Sequence, residues 1–214
     1  EERDSKVRRS FTPDEHAAFM RQLLDTPNPE IKTIGLIMET YGAPTGEAAC
    51  LLRQDVKLSV KTPHLIIRNN RYRVLGKKRL ERALPIVEPL LSHLKDYIDN
   101  HFTGSNTDLL FPQFGEGRHA SGDRSKKLTE FVDNQRPADD ALLSPYSLRH
   151  TFADKYDAAG VSRSKGEYIM GHKSEGSNKV HAEYGTGRNI ADLVDDIKAI
   201  VAVKEWGYFE EYDD

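Results

Sequence analysis

Three types of reactive side chain recur in the polar stretch from residue 144 to residue 184. Arg149 and His150 are adjacent in the segment SLRHTF, His172 follows a glycine in MGHKS, and Tyr184 closes the stretch. A guanidinium can bind a phosphate through two parallel hydrogen bonds, an imidazole can exchange a proton near neutral pH, and a phenol can act as a nucleophile. This combination favours phosphodiester chemistry over simple packing.

Each of these residues also has an ordinary structural interpretation. An arginine near a helix start usually pairs with a carboxylate, and a histidine after a glycine is usually a turn or cap residue. A single tyrosine is most often a packing or surface aromatic. It is therefore the joint pattern of Arg149, His172 and Tyr184, in this order, that indicates chemistry.

Composition and charge narrow the class of protein. The 214 residues are enough for one large domain or two small ones, and 37% hydrophobic with 30% charged residues is typical of a soluble globular protein. No apolar run approaches the roughly 20 residues of a membrane helix, and we expect no secretory signal because the first residues are charged. Cys50 is the only cysteine, so we expect a reducing cytoplasm and a buried core thiol rather than a nucleophile.

Basic residues concentrate in one segment although the formal net charge is −3. Between residues 68 and 82 a single acid, Glu81, accompanies seven positive side chains: Arg68, Arg71, Arg73, Lys77, Lys78, Arg79 and Arg82. Scattered lysines are usually a solvated strand face, but this density favours a surface that faces phosphates. The C-terminal residues after Trp206 are acidic and cancel this patch in the total.

The hydrophobic pattern predicts one α+β domain that is mostly helical, with a small three-stranded antiparallel sheet. The sheet is expected over residues 56–84, with turns near 62–63 and near either 69–70 or 76. Thr12, Pro13 and Glu15 predict a capped helix start, and Gly160 and Gly171 predict helix ends. The remaining helices are expected near residues 29–41, 47–52, 87–101, 123–134, 146–159, 164–170, 174–183 and 190–201.

Several segments together resemble the catalytic domain of tyrosine recombinases, the phage-type integrases. The resemblance spans about residues 11 to 200 and is carried by Tyr41-Gly42 with Glu47 and Leu51, Gly76-Lys77 with Glu81-Arg82 and Leu84-Pro85, Leu110-Phe111-Pro112, Leu148-Arg149-His150-Thr151-Phe152, Ala159-Gly160-Val161, Met170-Gly171-His172 and Tyr184. The order of the Arg-His-Thr-Phe, Gly-His and Tyr segments is fairly specific. The resemblance implies site-specific DNA recombination or integration by a phage or other mobile element.

The resemblance also implies a role for individual residues. Tyr184 matches the nucleophile that forms a 3′-phosphotyrosyl link, and Arg149 matches the second arginine of the family, which binds non-bridging phosphate oxygens. His172 matches a hydrogen-bond donor, and Lys77 matches the lysine that protonates the leaving 5′-oxygen. No metal or other cofactor is implied, because the covalent link conserves the bond energy. We further expect DNA contacts from Arg73, Lys78, Arg79, Arg82 and His150.

Two positions depart from the family pattern. The family usually has an arginine two residues after the glycine of its first motif, and this chain has Pro44 there. Three residues before Arg149 the family usually has a histidine, and Tyr146 stands there as a hydrogen-bonding substitute. Loss of one charged transition-state contact typically costs about 3 kcal/mol, or about 10²–10³ in rate. An alternative function is therefore a degenerate, catalytically weak or inactive relative that binds DNA or assembles without cutting it.

The resemblance implies a domain organisation and partners as well. We expect residues 1–10 to be a linker or the tail of a missing N-terminal DNA-binding domain, residues 11–204 to be the catalytic domain, and residues 205–214 to be an acidic tail. The implied partners are double-stranded DNA and further copies of the chain, as a tetramer on DNA, with no membrane. Assistance from a host DNA-bending protein stays open, and the implied location is the cytoplasm at the nucleoid. A phosphate-binding metabolic enzyme fits poorly, because the sequence has no glycine-rich phosphate loop.

Overall fold

A computed structural model of the chain describes residues 8–115, 120–133, 142–173 and 190–206. Within these ranges the α-helices are α1 (Pro13–Asp25), α2 (Pro29–Tyr41), α3 (Thr45–Ala49), α4 (Leu90–Asn100), α5 (Pro112–Gly115), α6 (Ala120–Asp133), α7 (Ser147–Ala158), α8 (Arg163–Met170) and α9 (Val194–Val201). The strands are β1 (Val56–Lys57), β2 (His64–Ile67) and β3 (Arg82–Pro85). The predicted α+β class, mostly helical with a small three-stranded sheet, is confirmed.

Local signals place the first two helices correctly. The Thr12 side chain accepts a hydrogen bond from the backbone N–H of Glu15, and the Glu15 carboxylate accepts one from the N–H of Thr12. Such a reciprocal cap satisfies two of the otherwise unpaired donors at a helix start. Helix α2 begins with Pro29 after an Asn28 cap and ends at Gly42, which adopts φ +58°. Both starts are as the sequence predicts.

The sheet is antiparallel with the order β1-β2-β3, and Leu65 pairs with Val56 on one side and Leu84 on the other. Its strands are shorter than predicted. Val74, expected in a strand, lies in the loop between β2 and β3 with 85% of its surface exposed. Most of the basic run therefore sits on this loop, residues 68–81, rather than on strand faces.

Other boundaries also move. Helix α3 begins at Thr45, two residues earlier than predicted, because the chain turns into it directly after Pro44. Helix α4 begins at Leu90 rather than near residue 87. The last predicted helix is a 3₁₀ turn followed by α9. The helix predicted for residues 174–183 lies outside the described residues.

Helix α2 lies at the centre of the molecule and packs against α1, α3, α4, α6 and α7. Its two ends are therefore held by the core, and its C-terminal end meets α7. Cys50 is buried, as predicted, in a small cluster with Leu52 and Leu109. No helix among the described residues combines the length and apolar character that a membrane crossing needs.

A closed group of charges, the Glu39 triad, lies inside this core and consists of Glu39 on α2, Lys155 on α7 and His16 on α1. The Glu39 carboxylate accepts hydrogen bonds from Lys155 Nζ at 2.5 Å and contacts His16 Nε2 at 2.9 Å. Burial alone would raise the pKa of Glu39, but His16 and Lys155 outweigh it and lower the pKa to about 2. The triad ties three helices together with its carboxylate ionised.

Candidate phosphate-binding site

Four separate segments meet at the C-terminal end of α8. The loop between β2 and β3 runs beside the residues that follow α8: the N–H of Leu80 donates to the carbonyl of Gly171, and the N–H of Lys173 donates to the carbonyl of Lys78. The turn between α2 and α3, residues 42–44, and the first residues of α3 supply the carbonyl of Gly42 and the carboxylate of Glu47. The start of α7 supplies Arg149. The predicted site residues on these segments are thus brought together.

The core of the site is the arginine cluster, which we define as Arg79, Arg82 and Arg149 with the carboxylate of Glu47. Arg79 binds Glu47 through two parallel hydrogen bonds, from Nε at 2.6 Å and from Nη2 at 2.7 Å. Arg82 donates from Nη2 to the same carboxylate at 2.8 Å. Burial would raise the pKa of Glu47, but Arg82 and Arg79 hold it below its usual range. Glu47 is therefore an ionised anchor for two guanidinium groups.

The carbonyl of Met170 joins all three arginines. It accepts from Arg79 Nη2 at 2.7 Å, from Arg149 Nη1 at 2.8 Å and from Arg82 Nη2 at 3.3 Å. Met170 is the last residue of α8, and the carbonyls of a final helix turn lack intrahelical partners and carry a partial negative charge. The end of α8 therefore solvates positive charge inside the protein.

Positive charge still exceeds negative charge in the arginine cluster, since Arg79 and Arg82 share the Glu47 carboxylate and Arg149 adds a third guanidinium that is bound only to carbonyls among the residues described. Arg149 is only 4% exposed and donates from Nη1 to the carbonyls of Gly42 and Met170. Its Nη2 is enclosed and has no hydrogen-bond partner in the described part of the chain. Burial and the charge of Arg79 lower the pKa of Arg149 to about 10. An anion is the group that would satisfy this donor and balance the charge.

Two glycines make the close approach of these groups possible. Gly171 has φ +75°, and a Cβ there would lie 2.2 Å from Nη1 of Arg82. Gly42 has φ +58°, and a Cβ there would lie 2.9 Å from the ring of Phe152. Both conformations are costly for other residues. The Gly-His and Tyr-Gly segments are thus needed at the site for backbone reasons.

Aromatic and imidazole groups form the rim of the site. Partial burial and the charges of Arg149 and Arg79 lower the pKa of His172 to about 4, so its imidazole is neutral at neutral pH. Tyr146 is 43% exposed, and its ring makes an edge contact with that of His150 at 5.5 Å between centroids. Burial and Arg149 also lower the pKa of His150. The rim can therefore donate hydrogen bonds without adding further positive charge.

The remaining predicted residues lie at different places in the structure. Lys77 and Lys78 are exposed on the loop between β2 and β3, next to the segment of His172 and Lys173. Tyr184, the predicted nucleophile, lies outside the described residues. Arg53, the arginine nearest to Pro44 along the chain, donates to the carbonyl of Val56 at 3.1 Å instead of joining the arginine cluster.

Arg73 and Arg82, predicted to contact DNA, are buried with internal partners in this structure. The Arg82 side chain is 0% exposed, and Arg73 is buried with its guanidinium on the carbonyls of Glu47 and Arg68. Both guanidinium groups are held by partners inside the protein, Arg82 by Glu47 and by the carbonyl of Ile169, and Arg73 by the two carbonyls named above. Strand alternation could have revealed Arg82, because it shares a sheet face with the buried Leu84. Arg149 is also buried, but it differs from Arg73 and Arg82 because it pairs with no described carboxylate and its Nη2 has no described partner.

The groups that hold the arginines in place were not predicted from the sequence. Glu47 appeared only as part of the family resemblance, and no sequence signal points to the carbonyls of Gly42 and Met170, since backbone acceptors are common to all residues. Their function depends on which chain segments meet. Among the described residues, no group of three His, Cys, Asp or Glu side chains could hold a metal ion.

Comparisons with known proteins agree with this architecture. The curated relatives include tyrosine recombinase XerD of Yersinia pestis, 24% identical over 201 residues, which cover 86% of this chain and 61% of that protein. Tyrosine recombinase XerC of Pelobacter propionicus is 28% identical over 163 residues, which cover 71% of this chain and 49% of that protein. The chain thus spans about half to three fifths of the length of these two relatives.

Solved structures share the fold. The Tn1549 transposon integrase, in complex with a circular intermediate DNA, matches with a TM-score of 0.60 at 19% identity, covering 90% of this chain and 67% of that chain. XerH recombinase bound to its difH substrate matches with a TM-score of 0.55 at 17% identity, covering 86% of this chain and 53% of that chain. The model of the phage integrase family matches residues 16–183. The chain therefore belongs to the phage integrase family and has the fold of a tyrosine recombinase catalytic domain.

Proposed function

We propose that this chain is the catalytic domain of a site-specific DNA recombinase or integrase, which breaks and rejoins strands through a 3′-phosphotyrosyl intermediate. The observation that carries the proposal is the enclosed Nη2 of Arg149, a charged donor without a partner among the described residues, in a cluster with excess positive charge. A phosphodiester is the anion that the family's chemistry would bring to it. Family membership and the tyrosine recombinase relatives support this proposal.

In the proposed reaction, the phenolic oxygen of Tyr184 attacks the scissile phosphorus and forms a bond to it, while the phenolic proton passes to water. The bond from phosphorus to the 5′-oxygen breaks, and Lys77 donates a proton to that oxygen. Arg149 binds a non-bridging oxygen and stabilises the negative charge of the pentacoordinate transition state. His172 and Tyr146 donate hydrogen bonds from the rim. Strand joining follows the same steps in reverse.

The proposed partner is double-stranded DNA, and the solved neighbours in complex with DNA support it. We propose that Lys78, Arg79 and His150 contribute to this interface, and that the active assembly is a tetramer on DNA at the nucleoid in the cytoplasm. A host DNA-bending protein would assist where the site needs a bend. We propose that the chain is divided into a linker at residues 1–10, a catalytic domain at residues 11–204 and an acidic tail at residues 205–214.

Covalent capture tests the proposed function without knowledge of the target sequence. The chain is mixed with a pool of randomised duplexes that carry a nick, so that the short strand released by cleavage diffuses away and traps the enzyme on DNA. We expect adducts that resist detergent, that enrich one sequence, and that disappear in Tyr184→Phe. Lys127→Ala, an exposed lysine on α6 paired with Glu130, is the control and should form adducts at the normal rate. The absence of any adduct, or adducts that survive in Tyr184→Phe, would favour the non-cutting alternative.

A salt titration tests the proposed DNA surface separately. Binding of the chain to duplex DNA should be weak and should fall steeply with salt concentration, because phosphate contacts release counterions. Replacing the exposed Lys77 and Lys78 by alanine should lower the slope of log affinity against log salt by about 0.9 for each lost contact. Affinity that does not change between low and high salt would contradict the proposed surface.

A further inference from the structure

Arg79 lies close to the turn that contains Pro44. The carbonyl of Pro44 accepts the N–H of Glu47, and the Glu47 carboxylate holds Arg79 through two parallel hydrogen bonds. A third hydrogen bond fixes Arg79 Nη2 to the carbonyl of Met170. Arg79 thus reaches this turn from the loop between β2 and β3, and its guanidinium is held rigidly by groups from two other segments.

One nitrogen of Arg79 is not used in these contacts. Nε and Nη2 are paired, but Nη1 donates to none of the described residues, and the side chain is 16% exposed. Arg149 donates to the same Met170 carbonyl, so the two guanidinium groups are neighbours. Nη1 of Arg79 and Nη2 of Arg149 are therefore two donors without described partners in one cluster.

The electrostatics argue against a purely structural role for Arg79. Arg82, fully buried, already donates to Glu47 and to the carbonyls of Ile169, Leu80 and Met170. A second guanidinium on the same carboxylate adds positive charge beside the buried Arg149, whose pKa it lowers. Such crowding of like charges costs stability unless an anion joins the cluster.

We infer that Arg79 replaces the arginine that the family usually has at the position of Pro44, and that it binds a non-bridging oxygen of the scissile phosphate through Nη1 while Arg149 binds through Nη2. The inference rests on the proposed function, because its ligand is a DNA phosphodiester. Glu47 and the carbonyl of Met170 orient the guanidinium, as a carboxylate and a helix end are well suited to do. The site then has two phosphate-binding arginines, although one comes from a different part of the chain.

A double-mutant cycle between residues 44 and 79 tests the inference, with inorganic phosphate as the probe and calorimetry of the full chain as the readout. We expect Arg79→Gln to weaken phosphate binding about 10- to 100-fold, the effect of losing one charged hydrogen bond. Pro44→Arg should restore most of this loss in the Arg79→Gln background but add little to the wild-type chain, where Arg79 is already in place. Such non-additivity is expected only of residues that serve the same ligand.

Two results would overturn the inference. Phosphate binding of Arg79→Gln that equals the wild type would show that Arg79 does not touch the ligand. A Pro44→Arg change that alters affinity by the same factor in both backgrounds would show that the two positions act independently. If Arg79→Gln fails to fold, Arg79→Lys keeps the charge near Glu47 but lacks the fork, and the same cycle is run with it. Lys127→Ala is the control and should bind phosphate as the wild type does.

The outcomes also separate this inference from the proposed function. Phosphate binding does not require Tyr184, so Tyr184→Phe should bind phosphate normally while forming no adduct. A cycle that behaves as expected, in a chain that forms no adduct, would retain Arg79 as a phosphate ligand and reject strand cleavage. Adducts that form at the wild-type rate in Arg79→Gln would reject the inference and retain the recombinase function.

Discussion

The Glu39 triad and the arginine cluster are two groups of buried charges that each include a residue of α7, Lys155 and Arg149, yet they differ in the balance of positive and negative charge. In the triad, the carboxylate of Glu39 faces the ammonium of Lys155 at 2.5 Å, and both side chains are 2% exposed. In the arginine cluster, two guanidinium groups share Glu47, and a third, that of Arg149, pairs with no described carboxylate and keeps an enclosed donor without a described partner. In the triad the buried charges are partners of one another, whereas the cluster needs an added anion to balance its positive charge.

This difference separates a structural from a functional use of buried charge. A closed pair contributes to the fold, and breaking it leaves an uncompensated charge in the interior. An open cluster with excess charge costs stability in the empty protein and recovers it when a ligand of opposite charge binds. Changes in the triad should therefore affect unfolding, and changes in the cluster should affect phosphate chemistry.

The largest effect is expected in the triad. Lys155→Met leaves the ionised Glu39 with His16 alone and should lower the free energy of unfolding by about 3–5 kcal/mol, measured by urea denaturation. Lys165→Met is the matched control, because Lys165 pairs with Asp196 at 2.7 Å near the surface, where such pairs contribute about 0–1 kcal/mol. Equal losses in the two variants would remove the distinction between buried and surface pairs.

Arg149→Gln should reduce strand cleavage strongly and stability only slightly, the reverse of what is expected for Lys155→Met. It removes a buried charge that has an enclosed, unpartnered donor in the described structure, so its cost in unfolding should be well below that of Lys155→Met. Adduct formation with nicked DNA should fall about 10²–10³-fold, because a transition-state contact is lost. A variant that unfolds as easily as Lys155→Met would place Arg149 with the structural charges.

Gly171→Ala probes the contact that supports the arginine cluster. Its Cβ would meet Arg82 at 2.2 Å in addition to the strain of φ +75°, and we expect a loss of about 1–3 kcal/mol in unfolding free energy together with weaker phosphate binding. Gly160→Ala is the control, since Gly160 has φ +69° but nothing within 4 Å of its Cβ. If Gly171→Ala and Gly160→Ala changed phosphate binding equally, the contact with Arg82 would not be the cause of weaker binding.

The smallest effect is a shift in the titration of His172, followed by NMR of its imidazole. Its pKa should be about 4 in the empty protein and should rise toward the ordinary 6.5 in Arg79→Gln, because a positive neighbour is removed. The unfolded chain binds this proton near 6.5, so His172 lowers folded stability as the pH falls from 6.5 to 4. Added phosphate should also raise this pKa, and a pKa that ignores both changes would contradict the placement of His172 beside the cluster.

Much of the fold could be predicted from the sequence because its signals are local. The starts of α1 and α2 depend on caps within three residues, and the antiparallel order of the sheet follows from short alternating segments joined by turns. The strands themselves were predicted too long, because residues such as Val74 have strand-like types but no partner strand. Pairing is decided by tertiary contacts rather than by propensity.

The candidate site could be predicted only in its residue types. The residue types supply the available chemistry: arginines, histidines, a tyrosine in a characteristic order, glycines at the turns, and a proline where an arginine was expected. Which arginines face the interior and which face a ligand depends on how the chain folds, because their partners are remote in the sequence. Arg79 meets Glu47 across 32 residues, and Arg149 meets Gly42 across 107. The burial of a charge and the identity of its partner depend on such distant contacts, and these set whether a guanidinium supports the fold or binds phosphate.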